Sequence, residues 1–187
     1  MAAPDISACV SAGFSGFKKD AVSHIVATLL VVFVSGVGFG LLTGPMIVGY
    51  MRMIKNGEQS GKVQIADVFK GFDSFVPALL AVLLGSIIVS IGYMLCVLPG
   101  MLLMAIIPTA AYLVASGETD GIEALKRAWT AVKGNLVGAF LCMLVLAIIG
   151  NIGLILCFVG VILTMPIAFI GSYEMAKQLT DDGALIV

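Results

Sequence analysis

Charge is what this sequence is short of. Of its 187 residues only 11% are Asp, Glu, Lys or Arg, against about 25% in ordinary soluble domains. With 60% hydrophobic residues and a mean hydropathy of +1.15, too few polar side chains remain to cover a water-facing globule. Disorder is excluded by the same figures, since it needs low hydrophobicity and high net charge. Histidine occurs once, as His24, so no site can be built from two of them. The four cysteines, Cys9, Cys96, Cys142 and Cys157, are scattered along the chain, and no two of them stand close in sequence. That spacing writes neither a CxxC zinc pair nor a disulfide framework, and it reads as buried free thiols. Ten basic against eleven acidic residues give a net charge of −1, which offers nucleic acid no basic face. GxSxG, HExxH and P-loop motifs are missing as well. Gly13-Phe14-Ser15-Gly16 has the wrong spacing for a nucleophile elbow. Asp5 interrupts the N-terminal stretch early, unlike the apolar core of a cleaved signal peptide.

What is present is apolar sequence in long blocks. No Asp, Glu, Lys or Arg occurs in Ala21–Met51, Ser74–Gly117 or Gly134–Tyr173. As single helices these blocks would run to about 46–66 Å at a rise of about 1.5 Å per residue. The hydrocarbon core of a bilayer is only about 30 Å thick, so each block is expected to fold into a hairpin of two helices. Gly36-Val37-Gly38-Phe39-Gly40, Tyr93 to Gly100, and Gly150-Asn151-Ile152-Gly153 supply the turns. The fold class expected is therefore an all-α integral membrane protein of six transmembrane helices, at about 21–36, 39–55, 74–93, 99–116, 135–150 and 154–177. The first hairpin is the shortest, with helices near the lower limit for a full span; a re-entrant loop is its alternative.

All ten basic residues (Lys18, Lys19, Arg52, Lys55, Lys62, Lys70, Lys126, Arg127, Lys133 and Lys177) fall between the hairpins or at the chain ends. By the positive-inside rule this places both termini and both long connections in the cytoplasm, with the protein in the cell (inner) membrane.

The three hairpins share a plan, and the chain 1–187 reads as one membrane domain. Repeat 1 covers about 1–58, repeat 2 about 63–118, repeat 3 about 119–180, and a short acidic tail follows at 181–187. Each hairpin is preceded by an amphipathic segment whose apolar stripe repeats at helical spacing: Ile6, Val10, Phe14 and Phe17; Ile65, Val68, Phe69 and Phe72; Ile122, Leu125, Trp129 and Val132. Phe14, Phe72 and Trp129 sit at corresponding places and are the candidate interfacial anchors. In the third segment Asp120-x-x-Glu123 reads as a capping-box-like start, and Glu123 and Arg127 stand one turn apart. Each returning helix carries a proline and then a tyrosine: Pro45 and Tyr50, Pro108 and Tyr112, Pro166 and Tyr173. The prolines are candidate kinks. The tyrosines suit an interfacial aromatic belt.

Two runs, Gly44-Pro45-Met46-Ile47-Val48-Gly49-Tyr50 and Ile65-Ala66-Asp67-Val68-Phe69-Lys70-Gly71-Phe72, flank Asn56-Gly57-Glu58. With Leu98-Pro99-Gly100 and Ile122 to Asn135, this pattern resembles bacterial multi-pass membrane families related to the membrane domain of some glycerophosphoryl diester phosphodiesterases. The resemblance spans most of the chain. It implies a six-span bacterial membrane protein and carries over no catalytic residue, and the phosphodiesterase's soluble catalytic domain has no counterpart here.

Function is read from what chemistry is missing. His24 reads as an interfacial histidine rather than a catalytic one, and the carboxylates lie on solvated connections. No catalytic, cofactor or metal site is expected, and no enzyme. Buried charged residues mark proton- and ion-coupled carriers, and the apolar blocks contain no Asp, Glu, Lys or Arg; Glu174 is the nearest, with Lys177 one turn away. The small residues Gly36, Gly40 and Gly44, with Gly85, Ser86 and Ser90, are candidate helix-packing faces, serving either the chain's own fold or a second copy. The expected role is a non-catalytic membrane component that organises lipid or partner proteins and self-associates. The alternative is a passive transporter or channel for a lipid or small solute, suggested by the repeat and the prolines.

Overall fold

The computed structural model describes residues 3–38, 40–95, 97–155 and 159–181. Among these residues the chain is all-helical. Helix α1 (Ile6–Lys19) is followed at a bend of 104° by α2 (Ala21–Val37). Next come α3 (Thr43–Ser60), a 3-10 segment (Ile65–Ser74) and α4 (Phe75–Leu95). Then follow α5 (Val97–Leu103), α6 (Ile106–Ala115), α7 (Gly121–Gly134), α8 (Leu136–Ile155) and α9 (Val159–Asp181), with a bend of 100° between α7 and α8. Phe39, Cys96, Cys157 and the tail beyond Asp181 lie outside the described residues.

Local chemistry explains the ends. Asp5 caps α1 by accepting from the Ser7 and Ala8 amides, and Asp120 caps α7 through Ile122 and Glu123. These hydrogen bonds, led by the one from the Ser7 hydroxyl, hold the Asp5 carboxyl below its usual range. Asp20 ends α1 and caps α2 through Ser23, so one residue makes the sharp bend. Asn135 bends the chain between α7 and α8 in nearly the same conformation (φ −144°, ψ 48° against −152°, 66° at Asp20).

Two turns differ from expectation. Gly150 to Gly153 remain helical inside α8. The Asn151 amide is satisfied within that helix, donating to the Ala147 carbonyl (2.7 Å), so these turn-forming residues do not end it. The helix expected over 99–116 is instead two pieces, α5 and α6, broken at Met104 and Ala105. Pro108 lacks the N–H that a continuous helix would offer to the Met104 carbonyl. Of the three candidate kinks, only Pro166 sits in the body of a helix; Pro45, like Pro108, lies in a first turn, where no amide donor is needed.

Among the described residues, by length and composition one helical stretch, Ile65–Leu95, is long and apolar enough to cross a membrane, and counting each bent pair as one span gives up to three. The distribution of side-chain sizes shows how the bundle is solvated. Buried positions are often small: Ala27, Ala78, Ala81, Ala110, Ala111, Ala128 and Ala139 are fully buried. Large apolar side chains point outward from α2 (Leu29, Val32, Phe33), α4 (Leu83, Ile87, Ile91) and α8 (Val137, Leu141, Ile148).

Packing follows a regular order. Helices α3, α6 and α9 contact one another at the centre, and α2, α4 and α8 lie outside them. Segment α1 lies on α9, the 3-10 segment on α3, and α7 on α6. Glycine makes two of these contacts possible. A Cβ on Gly71 would overlap the Pro45 carbonyl and the Gly49 backbone, and one on Gly49 would overlap the Val68 carbonyl. At Gly13 of α1, a Cβ would stand 2.7 Å from the Ile167 carbonyl oxygen of α9.

Candidate functional site

The charged residues gather where helices end. There, α1, the start of α2, the end of α3 and α9 enclose a cavity of about 490 Å³. Lys19 and Asp20 come from the α1–α2 bend, His24 from the first turns of α2, Glu58 from the last turns of α3, Lys62 from the connection after it, and Tyr173 from α9. Most stand at or near helix ends, so packing α1, α2, α3 and α9 brings them together.

Most polar groups here are already engaged. The Glu58 carboxylate accepts from Lys177 (3.1 Å) and from the Tyr173 hydroxyl (3.3 Å). Glu174 accepts from Gln178 (3.2 Å) and stands 3.9 Å from Lys177. Asp20 is occupied by the amide and hydroxyl of Ser23. Buried His24 meets the Tyr50 hydroxyl through Nδ1 at 3.1 Å. Tyr50 packs on Phe169 with ring centroids 5.2 Å apart, and Tyr112 meets Tyr173 edge-on at the same distance. The three tyrosines thus sit buried at the meeting of α3, α6 and α9, not in an exposed belt. Their rings fill the space between central helices, and their positions near helix ends alone could not reveal that.

A second, apolar hollow of about 300 Å³ lies between α8 and α9, lined by Met104, Met143, Met165 and Phe169 among others. Behind the 3-10 segment is a polar cluster centred on buried Asp67. Asp67 pairs with Lys70 (2.6 Å) and accepts from the Asn56 amide (2.8 Å). Arg52 donates to the Ser74 hydroxyl at 2.6 Å and to the Lys70 carbonyl at 2.5 Å, tying α3 to the same segment.

The residues singled out from sequence are dispersed. Gly44 is pressed against the Ala78 backbone of α4, and Gly85 is in ordinary contact with Ile107 and Leu125. A Cβ on Gly36 or Gly40 would meet nothing within 4 Å; Gly40 makes its turn with φ +82°. Ser86 and Ser90 return their hydroxyls to carbonyls of their own helix. Phe14 and Trp129 are exposed, while Phe72 is half-buried and stacks on exposed Phe75. Arg127 reaches Glu118 (2.7 Å), and Glu123 stands 3.6 Å from Lys126. Cys9 and Cys142, far apart in sequence, both bury their thiols and lie near enough to perturb one another. Neither that meeting nor the cavity was legible in local spacing. Among the described residues no three His, Cys, Asp or Glu side chains form a group able to hold a metal ion.

Compared with known protein families, curated proteins and solved structures, the chain finds no match.

Proposed function

We propose that the chain is a six-span protein of the cell (inner) membrane, built as three repeated hairpins with both termini cytoplasmic, and that it organises lipid or a partner protein without catalysing a reaction. A second copy of the chain is the first partner to test. The observation that carries this reading is the outward display of large apolar side chains on α2, α4 and α8, over a centre rich in alanine and glycine. In lipid no hydrophobic force drives helices together, so small residues that permit close approach belong inside and bulky ones outside. Each bent pair is then an interfacial helix turning into the membrane, not one broken span. The cyclic packing of α1 on α9, the 3-10 segment on α3 and α7 on α6 supports the threefold plan, as do the matching bends at Asp20 and Asn135. Kinship with the membrane families named above is part of the same proposal.

A passage along the bundle axis fits less well, because Tyr50, Tyr173, Met46, Met53 and Met175 are buried in the central helices. Extraction into native-lipid nanodiscs, followed by identification of retained lipids and proteins, tests the role. A lipid class or a stoichiometric protein enriched over the bulk membrane is expected. Single-copy particles with bulk lipid composition, together with solute flux in liposomes, would instead establish the conduit.

A further inference from the structure

We propose that α1 and α7 carry one lipid-binding face twice, Phe14 with Lys18 and Trp129 with Lys133, and that its occupant is an anionic phospholipid of the surrounding leaflet. This deepens the lipid-organising role and rests on reading both helices as interfacial.

The two helices match position by position. Asp5 and Asp120, Phe14 and Trp129, Lys18 and Lys133, and Asp20 and Asn135 each stand 115 residues apart. The first pair caps the helices, and the last pair ends them at bends of 104° and 100°. Inward positions correspond as well: Cys9 and Ala124 are buried, and so are Gly13 and Ala128. The outward ones are not accounted for by packing. Phe14 is 43% exposed and Trp129 41%, although Leu125 and Val132, from the same predicted stripe as Trp129, are buried. An exposed lysine stands one turn beyond each ring, on the same face. Long side chains on a helix lean toward its N-terminus, so each lysine reaches back over the turn that holds the ring. An aromatic ring beside a cation, on a helix set across the one it leads into, suits the boundary between headgroups and acyl chains.

Charge singles out the same two lysines. Among the described residues Lys126 pairs with Glu123 and Arg127 with Glu118, and Asp20 adjoins Lys19; Lys18 and Lys133 are in no ion pair. Helix α1 and residues 124–134 contain no acid. The capping residues Asp5 and Asp120 each lie 13 positions before the lysine. That is about 20 Å along a helix, well beyond a Debye length of about 8 Å at physiological salt. Both copies of the face therefore keep a positive charge beside an exposed ring, which anionic headgroups complement.

Trp129 is the sole tryptophan and serves as the probe. The full chain is reconstituted in phosphatidylcholine bilayers holding a minor fraction of phosphatidylglycerol. Dibrominated acyl chains are placed either on that fraction or on an equal fraction of phosphatidylcholine. Brominated phosphatidylglycerol is expected to quench Trp129 with a relative binding constant about fivefold higher, the factor equivalent to roughly 1 kcal/mol per interfacial lysine. Lys133→Gln should remove that preference, and Lys133→Arg should keep it. Lys62→Gln removes an exposed charge elsewhere and should leave it unchanged. A second reporter, Phe14→Trp with Trp129→Phe, should show the same preference and lose it in Lys18→Gln but not in Lys133→Gln. Equal quenching by both lipids would overturn the proposal while leaving the interfacial seat of α7 intact; quenching by neither would remove that seat as well. An equal fall in Lys62→Gln and Lys133→Gln, or a second reporter without preference, would reduce the effect to general surface charge and overturn it too.

Discussion

Gly71→Ala is expected to cost about 3 kcal/mol or more and to deplete the folded protein, whereas Gly36→Ala should leave stability unchanged or slightly raised. The methyl group at residue 71 would overlap the Pro45 carbonyl and the Gly49 backbone. A crowding side chain can rotate away, but a carbonyl inside a helix cannot. The 3-10 segment would have to lift off α3, giving up the contacts of buried Val68 as it went. Gly36, by contrast, has no atom within 4 Å of the same methyl position, and alanine is the better helix former by about 1 kcal/mol. Thermal melts of the two variants in detergent, read by loss of monodisperse protein, compare them directly. Equal melting temperatures would mean that the 3-10 segment is not pressed against α3 as described.

A loss of about 2–3 kcal/mol is the expected result for Asp67→Ala, against no more than about 1 kcal/mol for Lys70→Ala. Both changes break the same ion pair, but from opposite sides of it. The Asp67 side chain is 4% exposed and that of Lys70 is 55% exposed. Removing the carboxylate strands the part-buried Asn56 amide, which donates to it at 2.8 Å. Removing the lysine leaves Asp67 with Asn56 and a partner's place that water can fill. Asn56→Ala with Asp67→Ala should cost less than the sum of the single changes, since each loses the same hydrogen bond. The same melting assay reads all four. A lysine variant as damaging as the aspartate variant would contradict the burial assigned to this cluster.

These two sites mark where sequence reasoning stops. The uncharged blocks were legible as apolar helical sequence, but their lengths did not report the number of helices: Ser74–Gly117 folds as α4, α5 and α6, not as two. The amphipathic segments before each block were legible from helical spacing; the 3-10 geometry of Ile65–Ser74 was not, because an apolar stripe suits either helix. Glycine spacing misdirects: Gly36, Gly40 and Gly44 stand four apart, yet among the described residues the tightest approaches are those of Gly49 to the Val68 carbonyl and of Gly71 to the Pro45 carbonyl, across a loop. Close contact between backbones depends on where two elements cross, and no local pattern records that. The cavity has the same origin. Glu58 and Tyr173 are 115 residues apart, and sequence could place both near a helix end but not beside each other. Likewise Gly150 to Gly153 carry turn-forming residues, while the helix around them continues to Ile155.

Everything about function depends on the chain crossing the membrane six times, with its charged end on one side. Single cysteines at Phe39, Leu95 and Asn151, in a background lacking the native four, test this with a membrane-impermeant maleimide. Partner sites at Lys62 and Lys133 report the opposite face. The account predicts that the first three label from outside intact cells and the last two only after permeabilisation. Labelling of Leu95→Cys and Asn151→Cys from opposite sides, or of any of the first three only from within, would contradict it.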